Sequence, residues 1–121
     1  MAELKDLIGK TLTKAEQVGD DEIVFITSEG KRYKLYHWQD CCESVTVEDI
    51  VGDLADLVGE PLLVAEESTS GEHPEGYTAK EYEESFTWTF YKFATRKGYV
   101  DVRWLGESNG YYSESVDFAE A

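Results

Sequence analysis

The stretch FTWTFYKFATRKGYVDVRWLGESNGYYSESVDF, residues 86–118, leaves few options for its fold. Phe86, Trp88 and Phe90 alternate with Thr87, Thr89 and Tyr91, and Val100, Val102 and Trp104 alternate with Tyr99, Asp101 and Arg103. A period of two in β-branched and aromatic residues is that of a half-buried strand. RKG and SNG interrupt the pattern, and Asn109-Gly110 supplies the positive φ angles of a tight hairpin. The spacing predicts three strands in a meander.

The same rule reads strands in TLTKAEQV (11–18), EIVFITS (22–28) and KRYKLYHW (31–38), with turns at GDDE and at Glu29-Gly30. In the third, Tyr33, Leu35 and His37 face one way and Lys34, Tyr36 and Trp38 the other. PLLVAEE, residues 61–67, reads as a further strand, and residues 3–8 as one helical turn.

Between them the period changes. In SVTVEDIVGDLADLVGE, residues 44–60, Val47, Ile50, Val51, Leu54, Leu57 and Val58 recur at intervals of three and four. That spacing predicts an amphipathic helix, with Thr46 as N-cap, Asp49 in its first turn and Gly59 and Pro61 ending it. Residues 68–85 are polar and read as a surface loop. The expected architecture is α+β: a curved antiparallel sheet of hairpins packed on one main helix, with 1–121 as a single domain.

Charge narrows the function. The chain carries 26 acids and 11 bases, a net of −15. Thirteen of those acids and one base, Lys80, lie in residues 41–85. Direct nucleic-acid binding is excluded, because phosphates need cations opposite them. On the expected helix, Glu48, Asp49, Asp53, Asp56 and Glu60 form a stripe with no lysine or arginine at i+4. Its carboxylates would stand about 5–6 Å apart, near the phosphate spacing of an extended strand. These five residues are the candidate partner-binding set. No apolar run is long enough to cross a bilayer, and the N-terminus lacks the pattern of a secretory signal. A cytoplasmic protein with reduced cysteines is expected.

The segment YHWQDCCESV brings both cysteines and one of two histidines together, with His37, Gln39, Asp40, Cys41, Cys42 and Glu43 as candidate ligand-binding residues. Several readings compete. Structural zinc needs four convergent ligands, and adjacent cysteines point apart. A thiolate nucleophile could use His37, but Asp40, Glu43 and the acids that follow raise a thiol pKa. A vicinal disulfide is strained, and no calcium-loop spacing is present. The remaining reading is a structural turn, with one cysteine in the core and the other in solvent. No metal, cofactor or catalytic residue is assigned. Arg103, Trp104, Asn109, Tyr111 and Tyr112 suit either a recognition surface or a β-rich core.

At Tyr33–Tyr36, His37, Gln39–Glu43, Glu48–Leu54, Thr87–Thr95 and Arg103–Glu114, the chain resembles a family of small uncharacterised proteins encoded largely in bacteriophage and prophage genomes. The resemblance implies an accessory protein in the host cytoplasm, and it transfers no activity. Taken with the charge, the expected function is binding to a basic surface of a host or defence protein, as an inhibitor or nucleic-acid mimic. The alternative is a metal- or small-ligand-binding protein using the His37–Glu43 segment.

Overall fold

A computed structural model describes residues 3–37, 43–71, 85–108 and 114–120. Its strands are β1 (Leu12–Val18), β2 (Glu22–Thr27), β3 (Arg32–Tyr36), β4 (Ser44–Val51), β5 (Val64–Ser70), β6 (Ser85–Thr95), β7 (Gly98–Ser108) and β8 (Asp117–Glu120). Two short 3-10 helices, η1 (Leu4–Leu7) and η2 (Leu54–Leu57), complete the elements. The strands form two four-stranded antiparallel sheets, in the orders β1-β2-β3-β8 and β4-β7-β6-β5.

Alternation along the strands builds one core between the sheets. Ile23, Phe25, Tyr33 and Leu35 enter it from the first sheet, and Phe93, Val100, Val102 and Trp104 from the second. The Phe25 and Phe93 rings meet across the gap at 5.3 Å between centroids. Such a pair contributes about 0.5–1.5 kcal/mol beyond its buried area. Leu7, Leu57 and Leu62, from η1, η2 and the approach to β5, are also fully buried in this core.

The expected helix over 44–60 is absent, and with it the α+β class: this is a two-sheet β structure. The physical reason lies in the register. Val47 pairs with Trp104, and Asp49, not Glu48, pairs with Arg103. Glu48 is thus the extra residue of a β-bulge, which resets the alternation. Val47 and Ile50, three apart, both pack on the core, where an unbroken strand would turn one of them outward. Leu54 and Leu57, again three apart, lie at the two ends of η2, where i and i+3 eclipse. A bulged strand followed by a 3-10 turn therefore imitates the spacing of an α-helix. Val45, Thr46, Val47, Ile50 and Val51 are β-branched and favour the strand. Gly52, at φ +105°, closes the strand where an added Cβ would lie 2.7 Å from the Tyr99 carbonyl oxygen.

β6 and β7 form the long hairpin expected at RKG, but the meander does not continue. β8 pairs with β3 in the other sheet, while β7 is flanked by β6 and β4. The returning chain crosses between the sheets over Gly106, where a Cβ would collide with the Glu114 backbone carbonyl. Asn109-Gly110 and residues 72–84 of the expected loop lie outside the described residues, while its first residues, Ser68–Ser70, belong to β5. The first-sheet hairpins agree with the sequence reading, and Gly30 takes the positive φ, 85°, that the turn requires.

Candidate functional site

The architecture gives the molecule two ends. At one, η1, η2, the β6–β7 turn and the start of β5 come together; it is called the turn end below. At the other, β3 and β7 finish and β4, β6 and β8 begin; it carries the His37 and Gly106–Glu114 motifs and is called the motif end.

His37 follows directly on β3 and is 7% exposed. Its Nδ1 donates to the Ser115 carbonyl at 2.8 Å. A carbonyl accepts only, so this nitrogen carries a hydrogen. Its Nε2 stands 3.1 Å from Glu43 Oε1, within hydrogen-bond distance, and the two side chains are 4% and 1% exposed. The pair joins the end of β3 to the residue before β4 and to the lead-in of β8, so it ties the two sheets together. Of the candidate ligand-binding residues, the structure brings His37 and Glu43 together. Both imidazole nitrogens are thereby engaged, and neither is free for a metal or a thiol. Gln39, Asp40, Cys41 and Cys42, with the expectation of opposite environments for the two thiols, lie outside the described residues.

A second polar cluster stands nearby. The Glu114 carboxylate accepts from Thr87 Oγ1 at 2.8 Å and from Ser108 Oγ. Burial raises the Glu114 carboxyl, but hydroxyl hydrogen bonds from Ser108, Ser85 and Thr87 outweigh it and hold it below its ordinary value. Sequence reasoning missed this cluster. Its signal was Ser108 and Glu114 at the two ends of SNGYYSE, together with a glycine at 106 that no turn required.

The acidic candidates do not share one face. Glu48 is exposed at the bulge. Asp49 points to the outer face of the second sheet, 4.0 Å from Arg103. Asp53 caps η2, accepting from the Ala55 N–H at 2.9 Å. Asp56 stands beside Gly98, and its carbonyl accepts from Thr95 Oγ1. Glu60 follows on the way to β5. The helical carboxylate ladder is thus replaced by a collar that starts on the β4 edge, passes through η2 at the turn end and reaches the opposite edge at β5. Lys97 reaches this collar, but its ammonium donates to the Ala55 carbonyl at 3.3 Å.

Among the aromatic candidates, Trp104 is fully buried in the core and Arg103 lies on the outer face; Asn109, Tyr111 and Tyr112 are outside the described residues. Tyr91 is buried against Phe93. Burial, with the Glu67 carboxylate beside it, drives the Tyr91 hydroxyl far above its ordinary pKa and keeps it protonated. The outer face of the second sheet holds a groove of about 390 Å³ lined by Glu66, Ser68, Phe90, Lys92, Asp101 and Arg103 with neighbouring backbone.

The chain belongs to the family described as domain of unknown function DUF7448. The family model matches residues 5–118, from η1 into β8, and so spans both polar clusters and the acidic collar. Neither a curated protein nor a solved structure matches the chain. No helix among the described residues is long and apolar enough to cross a membrane.

Proposed function

We propose that the chain is a binding protein that presents an acidic surface to a basic partner. One observation carries this reading. From Glu43 to Gly71 there are eight acids and no lysine, arginine or histidine, and the fold wraps this segment round three sides of the second sheet. Among the described residues, one cation, Arg103, comes within 4.0 Å of a carboxylate of the collar. Uncompensated charge of this density opposes folding through self-repulsion and favours association with cations. The loss of the helical ladder removes phosphate-like spacing as support for mimicry, so the reading rests on charge alone. The resemblance to phage and prophage proteins supports a host or defence protein as the partner.

The test is purification of the chain with its partner from host lysate, followed by the triple variant D49K/D53K/D56K. Each exposed pair contributes about 0.2–1 kcal/mol, so reversal of three charges should weaken the complex by about tenfold or more, and salt should weaken the wild-type complex in the same direction. A partner whose affinity ignores the three reversals contradicts the reading. A metal or small ligand held in the His37–Glu43 segment through the His37 imidazole would require that ring to leave Ser115 or Glu43. Elemental analysis of the purified chain, with melting in added zinc, decides that alternative.

A further inference from the structure

Tyr99 is the second residue of β7. Its neighbours Val100 and Val102 enter the core, so by alternation its ring points to the outer face of the second sheet, where it is 58% exposed. Val51 shares that face at 40% exposure, because it pairs with Asp101, two positions beyond Tyr99. The acidic collar passes this ring. Gly52 lies against the Tyr99 carbonyl oxygen, Asp53 follows it, and Asp56 stands beside Gly98. A cation of the chain itself is already drawn to the ring. The cross-strand partner of Lys92 is Asp101, yet its ammonium stands over Tyr99, 5.7 Å from the centroid. Among the described residues, that ammonium is within 4.0 Å of no carboxylate.

We propose that the exposed Tyr99 ring is the anchor of the acidic surface and that it takes an arginine side chain of the partner. This rests on the basic-partner reading and names the residue type recognised. A guanidinium is planar: it stacks on an aromatic face and still donates in its own plane to carboxylates. Around Tyr99 those acceptors are Asp101, on the same face and about 7 Å along the strand, and Asp56 beside the preceding glycine. An ammonium is a compact, strongly hydrated charge that cannot stack on the ring in this way. The surface should therefore prefer arginine to lysine, where charge alone would treat them equally. Val51 adds apolar area beside the ring. The competing reading makes Tyr99 one of the isolated apolar side chains that any surface carries, and the experiment separates the two.

The full chain, labelled with nitrogen-15, is titrated with acetyl-(Gly-Arg)4-amide and, separately, with acetyl-(Gly-Lys)4-amide. The buffer holds about 0.1 M salt, which screens exposed charges more than about 10 Å apart. The expected result is saturable binding of both peptides, with amide shifts concentrated in Val51–Asp56 and Gly98–Asp101 and the arginine peptide tighter by about two- to fivefold. Y99A should abolish that preference, and Y99F, which keeps the ring, should retain it. D56N/D101N should weaken both peptides alike. E16Q/E29Q, on β1 and in the β2–β3 turn of the other sheet, should change neither. Equal affinity of the wild type for the two peptides, or a preference that survives Y99A, overturns the anchor. Shifts that map to Glu60–Glu67 and ignore Y99A also overturn it but leave the basic-partner reading standing. No saturable shift with either peptide overturns it too, and the basic-partner reading is then judged by D49K/D53K/D56K against the purified partner.

Discussion

At the turn end, backbone does the closing. Gly9 donates to the Leu62 carbonyl at 2.7 Å, Leu62 to Lys10 at 2.9 Å, Gly59 to Leu12 at 2.9 Å and Leu63 to Ala94 at 2.8 Å. At the motif end, side chains join the elements: His37 to Ser115 and Glu43, and Glu114 to Thr87 and Ser108. Backbone groups are present whatever the sequence, so the turn end tolerates substitution of its exposed side chains, while the buried Leu7, Leu57 and Leu62 still have to fill the core. The motif end depends on particular ones. His37 and Glu43, which look reactive in the sequence, therefore have a structural task, and the proposed recognition surface is the acidic one.

Substitutions at the two ends should differ in cost, and the largest effect should come from His37. H37A removes the imidazole that bonds both Ser115 and Glu43, and the loss of two buried hydrogen bonds costs about 3 kcal/mol. Chemical denaturation should show this as a lower midpoint at unchanged slope. G106A comes next, at about 2 kcal/mol, because its methyl group meets the Glu114 carbonyl and forces the crossing chain away.

E114Q should cost about 1 kcal/mol at neutral pH, with a signature in acid. The Glu114 carboxyl is depressed in the folded state, so its stabilisation is complete above the ordinary value of 4.5 and fades as pH falls through the lower folded value. The gap between wild type and E114Q should therefore narrow as pH falls below 4.5. A gap that is constant from pH 7 to pH 3 would show that the carboxylate plays no part in the clasp. The smallest effect belongs to the turn end. D53A, which removes the cap of η2, should cost about 0.5–1 kcal/mol. A D53A cost equal to that of H37A would erase the distinction between the ends.

These contrasts track what was legible in the sequence. Strands β1, β2, β3, β6 and β7 were readable because most of each alternates, despite a register shift between Leu12 and Lys14 in β1, and glycine marks the turns GDDE, Glu29-Gly30 and RKG. β4 was not, since a single extra residue at Glu48 converts a two-residue period into intervals of three, and that spacing outweighed the local sign against a helix, the β-branched Val45, Thr46, Val47, Ile50 and Val51. The pairing of β8 with β3 was also hidden: it depends on a close approach at Gly106, which has meaning only once Glu114 is known to lie above it. At the candidate site, the proximity of His37 and Glu43 followed from sequence spacing. Their shared partner Ser115, 78 residues from His37, did not. The acidic segment was legible as composition, but its course round the sheet was not, because the helix that would have organised it does not form.

Hydrogen exchange of the native chain, compared with that of H37A, tests the division between the two ends most directly. Local opening free energies differ across a fold, and the clasp should govern those near it. H37A should speed exchange by about tenfold or more at the amides of Leu35–His37, Glu43–Thr46 and Ser115–Phe118, while Gly9, Gly59, Leu62 and Leu63 keep their wild-type rates beyond any shared loss of global stability. Equal acceleration at both ends, or none in Glu43–Thr46, would contradict the account.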